Sequence, residues 1–184
     1  MFSGQKDADF IILSKLNDRD LLSVCITDKY ANRLCNNEDF WRNRFITKYG
    51  VEYMKYNTVK TWKRFYLLIV KYLNGSEDWN IGMFSAAKGG HRDLVEFFIA
   101  KGANQWNTGM RGAAQGGHKD LVEFFIAKGA DAWNAGMEGA ARGGHRDLID
   151  FFIAKGADDW DVGMYGASKG GHQDLVNFFR QKMN

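Results

Sequence analysis

Proline is absent from all 184 residues. It is the residue that helix interiors exclude, so nothing in the composition interrupts helical structure, and an all-α chain is the expectation. Cysteine is nearly absent as well: Cys25 and Cys35 are the only two, too few for a secreted disulfide scaffold. Both are therefore expected in a core, in a reducing compartment that is cytoplasmic or nuclear. No apolar run reaches the roughly 18 residues that a membrane span requires. The opening stretch MFSGQKDADF lacks the charged-then-apolar order of a secretion signal. Neither sign of charge dominates, since 25 basic and 22 acidic side chains leave a formal net charge of +3. Phosphate binding needs a concentrated basic stripe, so neither nucleic acid nor a membrane is an expected partner. The length allows one or two domains with a real core.

What the chain has in abundance is repetition. Trp79, Trp106, Trp133 and Trp160 stand 27 residues apart, and so do His91, His118, His145 and His172. In register the unit reads W-N-x-G-M-x-G-A-A-x-G-G-H-x-D-L-V-E-F-F-I-A-K-G-A-x-x. A fixed period of this size is the signature of stacked repeats, here 79–105, 106–132, 133–159 and 160–184. The Asn or Asp after each Trp sits where a first helix must start, and the Gly-Gly pair (Gly89-Gly90 and its equivalents) where it must stop. A second helix begins after the His, with an Asp in its first turn favouring the helix dipole. It carries Leu94, Phe97, Phe98 and their equivalents as its apolar face. One hairpin cannot bury that face alone, so neighbours must stack into an α-solenoid. The fourth copy changes at its end, where Arg180, Gln181 and Met183 stand in place of Ile, Ala and Gly. That more polar side suits a terminal repeat that no neighbour covers.

Ahead of the repeats, three or four short helices are expected within about 45 residues, forming a small bundle. Phe10 to Leu16 is the first apolar run. Asp18 can cap a second helix bearing Leu21, Leu22, Val24 and Cys25, and Tyr30, Ala31 and Leu34 mark a third. Residues 57–73 form the clearest helix, with Trp62, Phe65, Tyr66, Ile69, Val70 and Leu73 on one stripe. Asn57 or Thr58 can cap it, and Gly75 can take the left-handed position after it. Gly75 lies four residues before Trp79, as Gly102, Gly129 and Gly156 lie before the later tryptophans, so this helix takes the slot of a preceding repeat's second helix. The expected organisation is a helical module over residues 1–50, a connecting helix and cap over 51–78, and the repeats over 79–184.

Leu16-x-Asp18-x-Asp20-Leu21-Leu22, then Tyr30, Cys35 and the acidic run closing on Phe40-Trp41, resemble an F-box across roughly residues 8–48. The family's opening Leu-Pro would fall near Gly4 and Gln5, where neither residue occurs. The resemblance implies docking on the Skp adaptor of a cullin-RING ubiquitin ligase through Phe10, Leu13, Leu16, Leu21, Leu22 and Trp41. The repeat tail A-A-x-G-G-H-x-D-L-V-E-F-F-I-A-K-G-A-D is similar to the helical part of an ankyrin repeat. Ankyrin units run about 33 residues, and the residues missing here fall where that family projects its β-hairpin fingers. Gly-Met (Gly82-Met83 and its equivalents) also stands where Pro-Leu would be. The implied fold is therefore all-α: an F-box-like bundle followed by four ankyrin-like helix hairpins without fingers. F-box proteins with such repeats resemble a class abundant in large DNA viruses, for which the compartment would be that of the host cell.

Two functions follow as expectations. In one the chain is a substrate receptor linking a target protein to the ligase; in the other it is a plain repeat scaffold with no ligase attached. A monomer is expected in both, and an enzyme in neither. The repeated histidines stand about 10 Å apart on stacked helices, whereas metal ligands converge to about 2 Å from one ion, so no metal is expected and each histidine is read as capping and bridging its turn. The Gly-Gly pairs lack the Lys-Ser/Thr of a phosphate loop, no nucleophile has a neighbouring base, and no cofactor is expected. The tryptophan column is read as structural, buried at each repeat junction.

The target surface is read from a helical wheel at 100° per residue. Counting from the Trp, the unvarying columns 1, 4, 5, 8, 11 and 12 of the first helix cluster on the side that must face the core. Columns 3, 6 and 10 fall opposite and vary. Column 6 holds Phe84, Arg111, Glu138 and Tyr165; column 10 holds Lys88, Gln115, Arg142 and Lys169; column 3 holds Ile81, Thr108, Ala135 and Val162. Drift on a solvated face is the bland explanation. Aromatics and arginine dominate interface energies, and on that ground Phe84, Arg111 and Tyr165 are the expected anchors.

Overall fold

Short polar stretches between apolar runs set the helix starts in the first part of the chain. The computed structural model describes residues 6–58 and 61–183, with side chains from Ile11 onward, and no strand occurs among them. The chain divides into two compact units, Met1–Lys71 and Tyr72–Asn184.

The first unit contains α1 (Lys6–Lys15), α2 (Asp18–Thr27), α3 (Lys29–Leu34), α4 (Glu38–Tyr49), a 3-10 segment (Val51–Tyr56) and most of α5 (Trp62–Leu73). Asn17 caps α2 by accepting from the Asp20 amide, Asp28 caps α3, and Asn37 caps α4. Asp18 is therefore not the cap. It lies one residue inside the helix and has another use. The helix expected from residue 57 begins at Trp62, whose amide the Glu38 carboxylate accepts, and the 3-10 segment precedes it. Its stripe is used as expected, with Phe65, Tyr66, Ile69 and Leu73 buried. Gly75 takes a left-handed conformation with φ +77°, and so does Asn74 before it. Cys25 and Cys35 are both buried, as expected, but they are bonded to each other. Two turns of α2 and the end of α3 place their Cα atoms 5.9 Å apart, inside the range a disulfide spans. The pair therefore lends no support to a reducing compartment. No helix among the described residues is long and apolar enough to cross a membrane.

The second unit is a helical repeat. Its hairpins are α6 (Trp79–Lys88) with α7 (Arg92–Ala100), α8 (Trp106–Gly116) with α9 (Lys119–Ala127), α10 (Trp133–Gly143) with α11 (Arg146–Ala154), and α12 (Trp160–Gly170) with α13 (Gln173–Met183). Each first helix packs on its own second helix and on the first helix of the next repeat. The invariant Gly-Met explains the hairpin. A Cβ at Gly109, Gly136 or Gly163 would sit 2.4 Å from the ring of Phe125, Phe152 or Phe179, so only glycine lets the second-helix phenylalanine lie flat on the first helix. Those three rings are fully buried, each worth about 1.5–3 kcal/mol of transfer free energy. The Gly-Gly pair ends the first helix, its second member left-handed at φ +79° to +80° in Gly117 and Gly144. The following histidine amide then bonds back to the Ala carbonyl of column 8, as His118 does to Ala113 at 3.0 Å.

Two other columns behave differently from expectation. The histidine side chain makes no capping hydrogen bond. Instead each ring fills the space left by glycines: a Cβ on Gly117 would meet His145 at 2.6 Å, and one on Gly143 would meet it at 2.5 Å. Histidine is thus a spacer between successive turns. Trp79, Trp106, Trp133 and Trp160 are all half-buried rather than core, because the core positions beneath them are filled by Met and Phe.

Candidate binding surface

In the first unit the pattern residues sort by burial. Leu13, Leu21 and Trp41 are fully enclosed, so they build the unit and present nothing to a partner. Trp41 also donates from Nε1 to the Cys35 carbonyl at 2.6 Å. Leu16 and Leu22 are half-buried, and the Phe10 side chain lies outside the described residues. The large apolar side chains of this unit that do reach solvent are Ile11, Ile12, Ile26 and Val51, with Ile26 80 % exposed. A cleft of about 580 Å³ lies beside Ile11, Phe40, Asn43, Arg44 and Tyr66.

Sequence reasoning missed the polar centre of this unit. The buried Arg44 guanidinium donates from Nη1 to the Ser14 carbonyl (2.9 Å) and from Nη2 to the Leu16 carbonyl (2.6 Å) and Asp18 Oδ1 (2.8 Å). Its Nε reaches the Tyr66 hydroxyl at 3.1 Å, and that hydroxyl donates to Asp18 Oδ1 at 2.5 Å. Lys48 completes the group at 2.6 Å from Asp18 Oδ2. The guanidinium thereby satisfies carbonyls left open at and just beyond the end of α1. Burial acts to raise the Asp18 carboxyl, but hydrogen bonds from Lys48, Tyr66 and Arg44 outweigh it and hold the pKa below its ordinary value of 3.8. Burial, reinforced by the bond to Asp18, pushes the Tyr66 phenol far up. No periodicity signals such a cluster, because its members come from four different helices and the turn between α1 and α2.

In the second unit the first helices lie unusually near one another. A Cβ on Gly112 would fall 2.6 Å from the Phe84 carbonyl oxygen, on Gly116 2.2 Å from that of Lys88, and on Gly139 2.4 Å from that of Arg111. Columns 7 and 11 therefore rest on the backbone of columns 6 and 10 of the preceding repeat. The first copy has Ser85 in column 7, the one repeat with no repeat first helix before it. Asparagine adds a second link. Asn107 Oδ1 accepts from the amides of Asp131 and Ala132 (2.8 and 3.0 Å), and Asn80 and Asn134 do the same to the loops that follow them. The asparagine stands at a helix start, as expected, and it fastens the loop that closes its own repeat and leads into the next.

Close packing divides the expected target residues. Arg111 Nη1 lies 3.3 Å from Glu138 Oε2, and the same guanidinium stands 5.3 Å from the centre of the Phe84 ring. Glu138, expected on the open face, is only 7 % exposed: the glycine contacts bring the next helix against its backbone, and Arg111 covers its carboxylate. Phe84, Arg111 and Gln115 are half-buried. Tyr165 is 57 % exposed and Ile81 45 %. Lys88, Arg142 and Lys169 are exposed. The structure thus brings column 6 together as a chain of side-chain contacts running from Phe84 to Glu138, and leaves Ile81, Tyr165 and the cations of column 10 open. Family models, curated proteins and solved structures yield no match to this chain.

Proposed function

We propose that the protein is an interaction adaptor, whose second unit holds a target protein on the first-helix face. The observation that carries this reading is the division of labour inside the repeat. Its unvarying columns are committed to packing, while the varying ones leave Tyr165, Ile81, Lys88, Arg142 and Lys169 open to solvent. In this reading the second unit is an ankyrin-like solenoid without fingers. The short, strand-free connections between hairpins, such as the turn after Ala100 before Trp106, support it. The first unit is an F-box-like module that docks on the Skp adaptor of a cullin-RING ligase, making the whole chain a substrate receptor. Because Leu13, Leu21 and Trp41 are enclosed, the docking contact falls to Ile11, Ile12 and Ile26 with the half-buried Leu16 and Leu22.

Mixing the purified chain with the Skp adaptor and running size exclusion tests the docking half. Co-elution that disappears with Ile12→Asp and Ile26→Asp, at unchanged helicity, is the expected result. Absence of co-elution with folded wild-type protein would leave a plain binding scaffold, for which the core use of the F-box-like residues already speaks.

A further inference from the structure

The open face of the second unit has a chemical character that narrows its ligand. Columns 3, 6 and 10 carry one carboxylate, Glu138, and Arg111 takes it up. Lys88, Arg142 and Lys169 line the same face, exposed, and none of the three forms an ion pair among the described residues. Arg92, Lys119 and Arg146 on the second helices each pair with an acid one turn on, whereas Lys128 and Lys155 at the ends of those helices form no such pair among the described residues. The first-helix face is set apart by its lack of acids. Its varying columns hold three exposed cations and no free carboxylate of their own, and such a surface takes its counter-charge from outside.

The geometry points to an acidic, extended peptide segment as that counter-charge, lying across the first helices; the inference rests on the target face proposed above. The spacing supports it. Column 10 side chains follow one another by one helix step, since the Lys88 carbonyl touches the helix bearing Gln115 and the Arg142 carbonyl the helix bearing Lys169. A helix step is at most about 8–10 Å, and an extended chain advances about 3.3 Å per residue. Carboxylates two or three residues apart therefore meet Arg142 and Lys169, and one farther along meets Lys88. Between them Gln115 offers an amide that can both donate to and accept from a peptide backbone. At the far end the Tyr165 ring, with Lys169 Nζ 5.5 Å from its centre, gives an apolar or aromatic side chain a surface to lie on. A polyphosphate fits less well. The face offers one cation per repeat with Gln115 as a gap, too sparse for a backbone that carries a charge on every unit.

The test uses the full chain and three fluorescent probes of about ten residues, long enough to cross the repeats at ~3.3 Å per residue. One is a synthetic peptide with Asp or Glu at every third position and apolar residues between; the second replaces each acid by its amide; the third is a single-stranded thymidine oligonucleotide. Anisotropy should show the acidic peptide binding, weakening with salt, and losing at least about tenfold in affinity with Lys88→Glu, Arg142→Glu and Lys169→Glu combined. Circular dichroism on this exposed triple variant should show an unchanged fold. Equal binding of acidic and amide peptides, no binding of the acidic one, indifference to the triple reversal, or tighter binding of the oligonucleotide each overturns the inference. Amide-peptide binding that is lost with Tyr165→Ala and Ile81→Ser would keep the face as the target surface while removing its preference for acids. Indifference of every probe to both sets of substitutions would remove the face as well.

Discussion

Two residues decide most at the smallest scale, and neither stands in a repeated pattern. Arg44 is buried with Asp18 as its counter-ion, and removing one partner of a buried pair costs about 3–5 kcal/mol because the other is left uncompensated. Asp18→Asn is therefore expected to lower unfolding free energy by about 3 kcal/mol, read from urea denaturation of the first unit. The pH dependence follows from the direction of the shift. The folded pKa of Asp18 is depressed, so its contribution is complete above the unfolded value of about 3.9 and is lost as pH falls from there through the lower folded value. Wild type should lose stability steeply below about pH 4, and the Asn variant less so; identical acid profiles would count against this role. For Trp133 the expectation changes with its burial. A fully enclosed ring costs about 3–5 kcal/mol to truncate, whereas a half-buried one such as Trp133 should cost about 2 kcal/mol. A loss as large as the enclosed value would mean that the ring is covered in solution.

At the scale of the element, the first helices are organised by what glycine permits. Gly139→Ala places a methyl group 2.4 Å from the Arg111 carbonyl, and backbone cannot move aside as a side chain can. Overpacking of this kind costs about 1–3 kcal/mol, larger than the ~1 kcal/mol that alanine gains over glycine in a helix. The same column in the first copy holds Ser85, where alanine should be neutral or stabilising by about 0.5 kcal/mol. Thermal melts of Gly139→Ala and Ser85→Ala should thus shift in opposite directions or differ clearly in size; equal shifts would contradict backbone contact between the helices. The Asn107 link is a smaller term. Losing its two bonds to the next loop, where water can replace them, is expected to cost about 1 kcal/mol.

The same elements show what the sequence made legible. The period, the hairpin boundaries and the Phe-bearing face could be read because each obeys a rule of spacing within one helix. Glu138 could not be placed, because its burial comes from how near the next helix lies, and a helical wheel treats every helix as alone. The asparagine column marks the helix start as expected, but its bonds to the loop 24 and 25 residues on follow no spacing rule within one helix. The histidine column does not cap, because its ring is used as a spacer that reaches a glycine of the preceding repeat. A close look at column 7, where Ser85 precedes three glycines, carries the missing signal. Cys25 and Cys35 fell to the same limit: each reads as a core residue, and only the packing of α2 against α3 brings them to bonding distance.

At the scale of the whole molecule the chain is two units with different sources of stability. The disulfide closes a short loop in the first, which is worth about 2–3 kcal/mol in the chain-entropy account. A reductant should therefore weaken the first unit and leave the melting of the repeats unchanged. The repeats themselves rest on a division between columns that pack and columns that recognise, and that division is the centre of the account. It is tested most directly by nuclear magnetic resonance of isotope-labelled protein titrated with the acidic peptide. The account predicts amide and side-chain shifts concentrated along α6, α8, α10 and α12 around Ile81, Lys88, Arg142, Tyr165 and Lys169, with α7, α9, α11 and α13 little changed. Shifts concentrated instead on the second helices, around Arg92, Lys119 and Arg146, would contradict it.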